Sequence, residues 1–145
     1  MYEVTIAIPL YNAEKYIEKT LESALSQTFE SIEFLIIDDS GTDGSMDIVE
    51  SVKSSSKRGS DIRIFKNPQN LGIGASRNVA IKEARGKFLF FLDSDDIMTT
   101  DCIKVLYSSA IDCHADVTIA SYKKIYDDGR VILTMCLPMR SGFLE

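Results

Sequence analysis

Short runs of β-branched and aliphatic residues alternate along this chain with longer stretches whose apolar positions recur at helical spacing. Val4 to Leu10 is the first such run, closed by Pro9 and the turn-forming Asn12, and it predicts a buried strand. Asn12 then offers a helix cap, and Ile17, Leu21, Ala24 and Leu25 share one face of the helix that would follow. Phe34 to Ile37 predicts a second strand ending abruptly in Asp38-Asp39, with Ser45 as the cap of a helix carrying Ile48, Val49 and Val52. A serine-rich connection from Ser54 to Ser60 leads to a short strand at Ile62 to Phe65, and Asn67 to Gly72 predicts a loop.

Gly74 to Arg85 predicts a third helix with Ala75, Val79 and Ala84 inward and Gly86 as its left-handed stop. Phe88 to Leu92 is an apolar strand running straight into Asp93-Ser94-Asp95-Asp96. A helix from about Thr100 to His114 follows, with Ile103, Leu106 and Ala110 inward. Val117 to Tyr122 and Val131 to Met135 predict further strands, with Asp127-Asp128-Gly129 resembling a hairpin turn between them. Strands alternating with helices imply crossover connections, hence a mostly parallel sheet with helices on both faces. The expected class is α/β, as one domain over residues 1–145 with no internal boundary.

Composition narrows the function. The 145 residues are 45% hydrophobic and 26% charged, enough for one compact core. With 22 acidic residues against 16 basic ones the net charge is −6, which works against gripping a nucleic-acid backbone, so no nucleic-acid partner is expected. Cys102, Cys113 and Cys136 are odd in number and lack paired spacing, which points away from a disulfide framework or zinc knuckle and fits a reducing cytosol. No apolar run reaches the ~20 residues that cross a bilayer, and Met1-Tyr2-Glu3-Val4 lacks a secretory pattern, so a soluble, cytoplasmic chain is expected. Ser141 to Glu145 stops without a closing element, and a terminal Leu144-Glu145 is what a cloning junction leaves, so truncation is expected.

In an open parallel sheet, ligands bind beyond the carboxyl ends of the strands, near the point where strand order reverses. That rule gathers Pro9, Tyr11 and Asn12, then Asp38 and Asp39, then Asp93, Asp95 and Asp96 along one edge. Carboxylates crowded without a cation resist joint ionisation, and a hard divalent ion relieves them. Asp93-x-Asp95 at a strand end can share one Mg²⁺ or Mn²⁺ through oxygen, and such an ion could hold a diphosphate. A lone Asp-x-Asp has a plainer source in solvated loop residues or helix caps. Asp43, Asp96 and Asp101 are assigned that structural role, at helix N-termini. Arg77, flanked by Ser76 and Asn78, could pair with a phosphate at the sheet edge or be a plain surface arginine. Gly72-Ile73-Gly74 has Arg77 where a dinucleotide fingerprint needs its third glycine. There is no Walker A motif or nucleophile elbow, and the single histidine, His114, sits at a predicted helix end, so Ser-His-Asp chemistry is not expected.

Taken together, Pro9 to Asn12, Asp38 to Ser45, Asn70-Leu71-Gly72 to Ser76-Arg77-Asn78, and Gly86-Lys87 to Asp96 resemble family 2 glycosyltransferases of the GT-A, Rossmann-like fold in order and spacing. The resemblance covers roughly the first 100 residues and implies an inverting, metal-dependent glycosyltransferase of polysaccharide or glycolipid synthesis. It implies that Pro9 and Tyr11 border the nucleotide base and that Asp39 accepts from a base N–H, most simply uracil. Arg77 would lie near the nucleotide, Asp93 would contact the ribose or the metal shell, and Asp95 would bind the Mn²⁺ or Mg²⁺ that bridges the diphosphate. Partners would be a nucleotide-sugar donor, most simply a UDP-sugar, and a saccharide or lipid-linked acceptor. Any peripheral membrane association would come through residues beyond the C-terminus.

This sequence departs from the family at Gly41, usually serine, and at Ser76, often alanine, neither of which is a proposed ligand. The general base cannot be assigned and is expected beyond Glu145, so this portion would bind donor without completing catalysis. Two other readings remain open: a haloacid-dehalogenase-like phosphatase, whose Asp-x-Asp normally follows the first strand, and a non-enzymatic nucleotide-binding module.

Overall fold

The computed structural model describes residues 1–126 and 130–134. They fall into two compact units, Met1–Lys104 and the residues from Val105 onward. The first is built on a parallel sheet of β1 (Val4–Leu10), β2 (Ile32–Asp38), β3 (Ile62–Lys66) and β4 (Phe88–Phe91), in the order β3-β2-β1-β4. Its connections are α1 (Ile17–Leu25), α2 (Ser45–Ser55) with a 3₁₀ turn at Gly59–Asp61, and α3 (Ile73–Glu83). α4 (Cys102–Cys113) runs into the second unit, which also holds the antiparallel pair β5 (Tyr122–Ile125) and β6 (Val131–Thr134).

β1 and β2 are buried at every position, which is why they read as unbroken apolar runs rather than alternating ones. On one face Ala7, Leu35, Ile37 and Ala80 form a cluster with Phe65, Val79, Leu89 and Phe91 against it, so α3 covers that side. The strand period of two sends Ile6, Ile8, Phe34 and Ile36 to the other face, and all four are fully buried. There the Arg58 guanidinium, just past α2, lies 4.7 Å from the Phe34 ring centroid. α1 and α2 pack together, burying Ile17, Leu21, Ala24 and Val49. Each such aliphatic side chain contributes about 1.5–3 kcal/mol on burial, so the two central strands anchor the unit.

That core also carries a charge. Glu33 on β2 accepts hydrogen bonds from Thr5 Oγ1 (2.8 Å), the Arg85 backbone N–H (2.9 Å) and Arg63 Nε (2.9 Å). Burial pushes its carboxyl up, but bonds from Thr5, Arg85 and Arg63 outweigh burial and hold it below its ordinary value. Arg63 also reaches the Glu83 side chain at 3.0 Å and the Glu83 carbonyl, fastening the end of α3 to the sheet.

Several local expectations are corrected. Asn12 does not cap α1; it adopts a left-handed φ of 48° and accepts from the Thr42 N–H, and α1 begins at Ile17. Ser45 is the first residue of α2 rather than its cap, and its hydroxyl accepts from the Ala13 N–H. Gly86 is not a left-handed stop. A Cβ there would sit 2.5 Å from Thr5 N and Val4 C, so close approach to β1 is what requires glycine. The strand expected over Val117–Tyr122 begins only at Tyr122, with Val117 and Ile119 exposed. Asp96 lies well ahead of α4 and cannot serve its N-terminus, whereas Asp101 immediately precedes it. α4 ends in a left-handed His114 (φ 51°), with Ala115 N–H donating to Ala110 O at 2.9 Å, the closure a glycine commonly makes. The expected turn at Asp127–Gly129, Met135 of the last strand, Cys136 and the terminal Ser141–Glu145 lie outside the described residues.

Candidate functional site

Because the four strands are parallel, their carboxyl ends share one edge, and backbone bonds continue past the strands to hold those ends together. Asp39 N–H donates to Leu10 O at 2.9 Å, Asn67 N–H to Asp38 O at 2.8 Å, and Leu92 N–H to Ala7 O at 3.0 Å. β2 and β4 flank β1, so strand order reverses at β1, and pairing with β4 stops at Ala7 opposite Phe91. Beyond that point the β4-facing edge of β1 is open, which is where a proline lacking an N–H is tolerated in a central strand. Pro9 is buried there and Tyr11 just after it is exposed.

At the end of β2, Asp39 is nearly inaccessible at 3% exposure. Its Oδ1 accepts from Asn67 Nδ2 (2.7 Å) and the Leu71 N–H (2.9 Å), and its Oδ2 from the Gly72 N–H (2.8 Å). Burial pushes this carboxyl up, yet the Leu71, Asn67, Gly72 and Ser76 donors hold it below the ordinary aspartate value. Asp39 therefore shapes the 67–72 loop, and Gly72 takes the required left-handed φ of 83°. A carboxylate has about four lone-pair sites, so these internal donors leave little room for a ligand N–H. Beside it Ser40 is left-handed at φ 58°, its N–H bonded to Asp38 Oδ1 (2.9 Å) and its hydroxyl donating to Asn67 O (2.7 Å). Two non-glycine residues with positive φ, Asn12 and Ser40, thus stand at neighbouring strand ends, a kind of strain that collects at ligand sites.

The end of β4 carries the charge. Residues 93–96 form a turn closed by the Asp96 N–H on Asp93 O at 3.0 Å. Arg77 Nη2 on α3 donates to Asp93 Oδ1 at 2.8 Å, its guanidinium 5.8 Å from the Phe91 ring centroid, while Arg77 Nε is buried with no partner among the described residues. Asp95 is exposed and, among the described residues, its carboxylate has no hydrogen-bond donor. Asp96 is exposed as a residue, yet desolvation of its carboxyl, then the charges of Asp95 and Asp93, push it up. Asp43, by contrast, is engaged structurally: Oδ1 accepts from Ser45 N–H (3.0 Å) and Ser45 Oγ (2.5 Å), Oδ2 from Glu14 N–H (3.0 Å).

The sequence-predicted residues therefore gather in two groups, Asp39 with the 67–76 segment and Arg77 with the 93–96 turn. Among the described residues no hydrogen bond or ion pair joins Tyr11 or Asp39 to Asp95. Nor do three acidic, histidine or cysteine side chains converge on one metal position. The chain can supply hard oxygen donors from Asp93 and Asp95, but a bound ion would need further ligands such as diphosphate oxygens. Asn67 and Ser76, both buried, were missed as members of the site although β3 ends on the same edge; the amide of Asn67 bridges Asp39 and Ser76 Oγ (3.1 Å).

The profile of the family described as Glycosyl transferase family 2 matches residues 5–137. An uncharacterized glycosyltransferase of Haemophilus influenzae is 34% identical over 119 residues, covering 82% of this chain and 46% of that one. The Escherichia coli UDP-Glc:alpha-D-GlcNAc-diphosphoundecaprenol beta-1,3-glucosyltransferase WfaP is 44% identical over 97 residues, covering 67% of this chain and 37% of its own. Among solved structures, Staphylococcus aureus TarS 1–349 in complex with UDP-GlcNAc superposes with a TM-score of 0.70 at 32% identity, over 79% of this chain and 32% of that one. The chain thus spans less than half the length of these relatives.

Proposed function

The chain belongs to glycosyl transferase family 2, and from that premise we propose that it is the donor-binding portion of a glycosyltransferase that moves a sugar from a UDP-sugar to an acceptor hydroxyl with inversion. The acceptor is a saccharide or lipid-linked saccharide. The observation that carries the reading is the crowding of Asp93, Asp95 and Asp96 where β4 ends beside the open edge of β1, with Arg77 reaching across from α3. The E. coli relative is named for UDP-Glc and the S. aureus structure is a complex with UDP-GlcNAc, which supports uridine as the base.

Asp95 and Asp93 would hold a divalent ion: the donors are hard oxygens, and mutual repulsion of the carboxylates is what a cation relieves. Such an ion offsets charge that grows on the departing diphosphate. Arg77 would shift between Asp93 and a phosphate oxygen, its fork geometry suiting either partner. Tyr11 would border the base from the open end of β1, with Pro9 fixing the backbone beneath it. Asp39 would act on the base chiefly through the Asn67–Gly72 loop it shapes, with at most one free lone pair for a uracil N–H. The base that deprotonates the acceptor is assigned to none of these residues. Among the described residues no helix is long and apolar enough to cross a membrane.

Calorimetric titration of the chain with UDP-GlcNAc and UDP-Glc, with and without Mn²⁺, tests the proposal, GDP serving as the base control. Saturable UDP binding strengthened by Mn²⁺ is expected; no binding of either uridine nucleotide would reject it. The phosphatase reading gains no support, because Asp93-x-Asp95 follows the edge strand β4 rather than the first strand.

A further inference from the structure

We infer that Thr20 and Ser23 on α1, with Gln27 just past its end, position the acidic 93–96 turn by gripping the backbone of the segment from Ser94 to Ile103. The inference rests on the proposed role of that turn in holding the ion and diphosphate.

Thr20 and Ser23, spaced i, i+3, share one face of α1, and Gln27 follows two residues past its end. Each bonds to main chain more than seventy residues away. Thr20 Oγ1 donates to Ser94 O at 3.0 Å, and the Met98 N–H donates to Ser23 Oγ at 3.3 Å. Gln27 Nε2 donates to Thr99 O at 2.6 Å while its Oε1 accepts from the Ile103 N–H at 3.0 Å, satisfying an orphan donor in the first turn of α4. The Thr28 N–H adds a bond to Thr100 O at 2.8 Å. Thr20 is 1% exposed and Gln27 6%, so water cannot easily replace these partners. Met98, Leu92 and Ile103 are buried along the same stretch, which keeps the segment close to α1.

The Ser94 carbonyl is the important target. It belongs to the peptide that joins Ser94 to Asp95, so Thr20 fixes the plane from which the Asp95 side chain departs. Asp95 has no hydrogen-bond donor of its own among the described residues, so its direction is inherited from that backbone. Asp93, on the other side of Ser94, is held by Arg77 from α3. Two helices thus grip adjacent residues of one turn, and the Thr20 grip would set where the second carboxylate points. Partners of this kind behind a metal ligand typically change metal affinity by roughly 10-fold to 100-fold when removed.

Thr20→Val removes the hydroxyl at constant shape, Thr20→Ser restores it, and Ser23→Ala supplies a second, milder variant should Thr20→Val not fold. Amide hydrogen exchange over residues 94–103 is measured on the free protein, and UDP binding is titrated with and without Mn²⁺. Thr20→Val is expected to quicken exchange at Asp96 and Met98 and to lower the Mn²⁺-dependent gain in UDP affinity by about tenfold. Metal-free UDP binding should be unchanged, and Thr20→Ser should recover both properties. Unaltered exchange in Thr20→Val, or in Ser23→Ala if only that variant folds, would overturn the grip. Faster exchange with an undiminished Mn²⁺ gain would overturn its positioning role. If the unmodified chain binds UDP without any Mn²⁺ gain, the metal reading of the turn and the positioning role fall together, and exchange alone then decides whether α1 holds the segment.

Discussion

Arg77 and Asp93 meet through a single 2.8 Å hydrogen bond between side chains that are each a little under half exposed, at 43% and 46%. An ion pair that wet is worth only about 0–1 kcal/mol to the fold. Arg77→Ala should therefore leave the melting temperature nearly unchanged while weakening UDP binding by roughly 10-fold to 150-fold, a charge-assisted contact being worth about 1.5–3 kcal/mol. Thermal melts and calorimetry on one preparation separate the two. A variant that melts early but binds normally would make the pair structural.

Asp95 and Asp43 should behave as opposites. Asp95→Ala removes an exposed carboxylate without a donor and relieves repulsion on Asp96, so stability should hold or rise slightly while the Mn²⁺-dependent part of donor binding disappears. Asp43→Ala strips a partner from the Ser45 and Glu14 N–H groups and should cost about 1 kcal/mol with the Mn²⁺ dependence intact. Denaturant melts with parallel titrations check both. Equal losses of binding would contradict the division.

Acid should destabilise the fold through Glu33 and Asp39. Both carboxyls are held below their ordinary values in the folded chain, so the unfolded chain binds more protons as pH falls through the carboxylate range. Their contribution is complete at neutral pH, above the unfolded values, and is lost as pH drops toward the folded ones. Glu33→Gln should cost about 2 kcal/mol at pH 7, the strength of bonds to a charged group, and should flatten the fall of melting temperature below about pH 4. A variant with the same acid slope as the unmodified chain would remove Glu33 from this account.

The parts of the fold that could be read beforehand are those where one physical cause dominates. β1 and β2 are buried on both faces, so their apolar runs are unbroken, and parallel strands send Asp38-Asp39 and Asp93 to Asp96 to one edge. What escaped notice depends on partners distant in sequence. Thr20 and Ser23 on α1 and Gln27 just past it bond local carbonyls, as such residues commonly do, but they also meet backbone groups of the 94–103 segment, which no local pattern shows. Ser76 stands where the family often has alanine, yet its hydroxyl meets Asn67, which holds Asp39. Val117 to Tyr122 failed as a strand for a related reason: β-branched residues favour extended structure, but a strand needs a neighbour, and pairing begins only where Tyr122 faces Thr134.

Gly72 and Gly86 would look alike in a substitution survey, and the structure separates them. At Gly86 the backbone adopts no left-handed conformation, but an added Cβ would lie 2.5 Å from Thr5 N and Val4 C, atoms of the central strand that cannot swing aside. Gly86→Ala must push the turn after α3 away from β1, weakening the Gly86 N–H bond to Thr5 Oγ1 (2.9 Å) and with it the cluster around Glu33. Overpacking of that kind costs about 1–3 kcal/mol. At Gly72 nothing lies within 4 Å of a Cβ, so the penalty is purely conformational: φ 83° with ψ 164° is backbone essentially confined to glycine and costs an L-residue about 1–3 kcal/mol. Since the Gly72 N–H is one of Asp39's donors, the strain falls on the loop beside the proposed donor site. Gly72→Ala should therefore weaken UDP binding, and Gly72→Asn should do no better, because asparagine eases αL backbone with ψ about +45° and not a ψ of 164°, whereas Gly86→Ala should act chiefly on stability. Denaturant unfolding and UDP titration of the three variants test the distinction, and recovery of UDP binding by asparagine at Gly72 would contradict it.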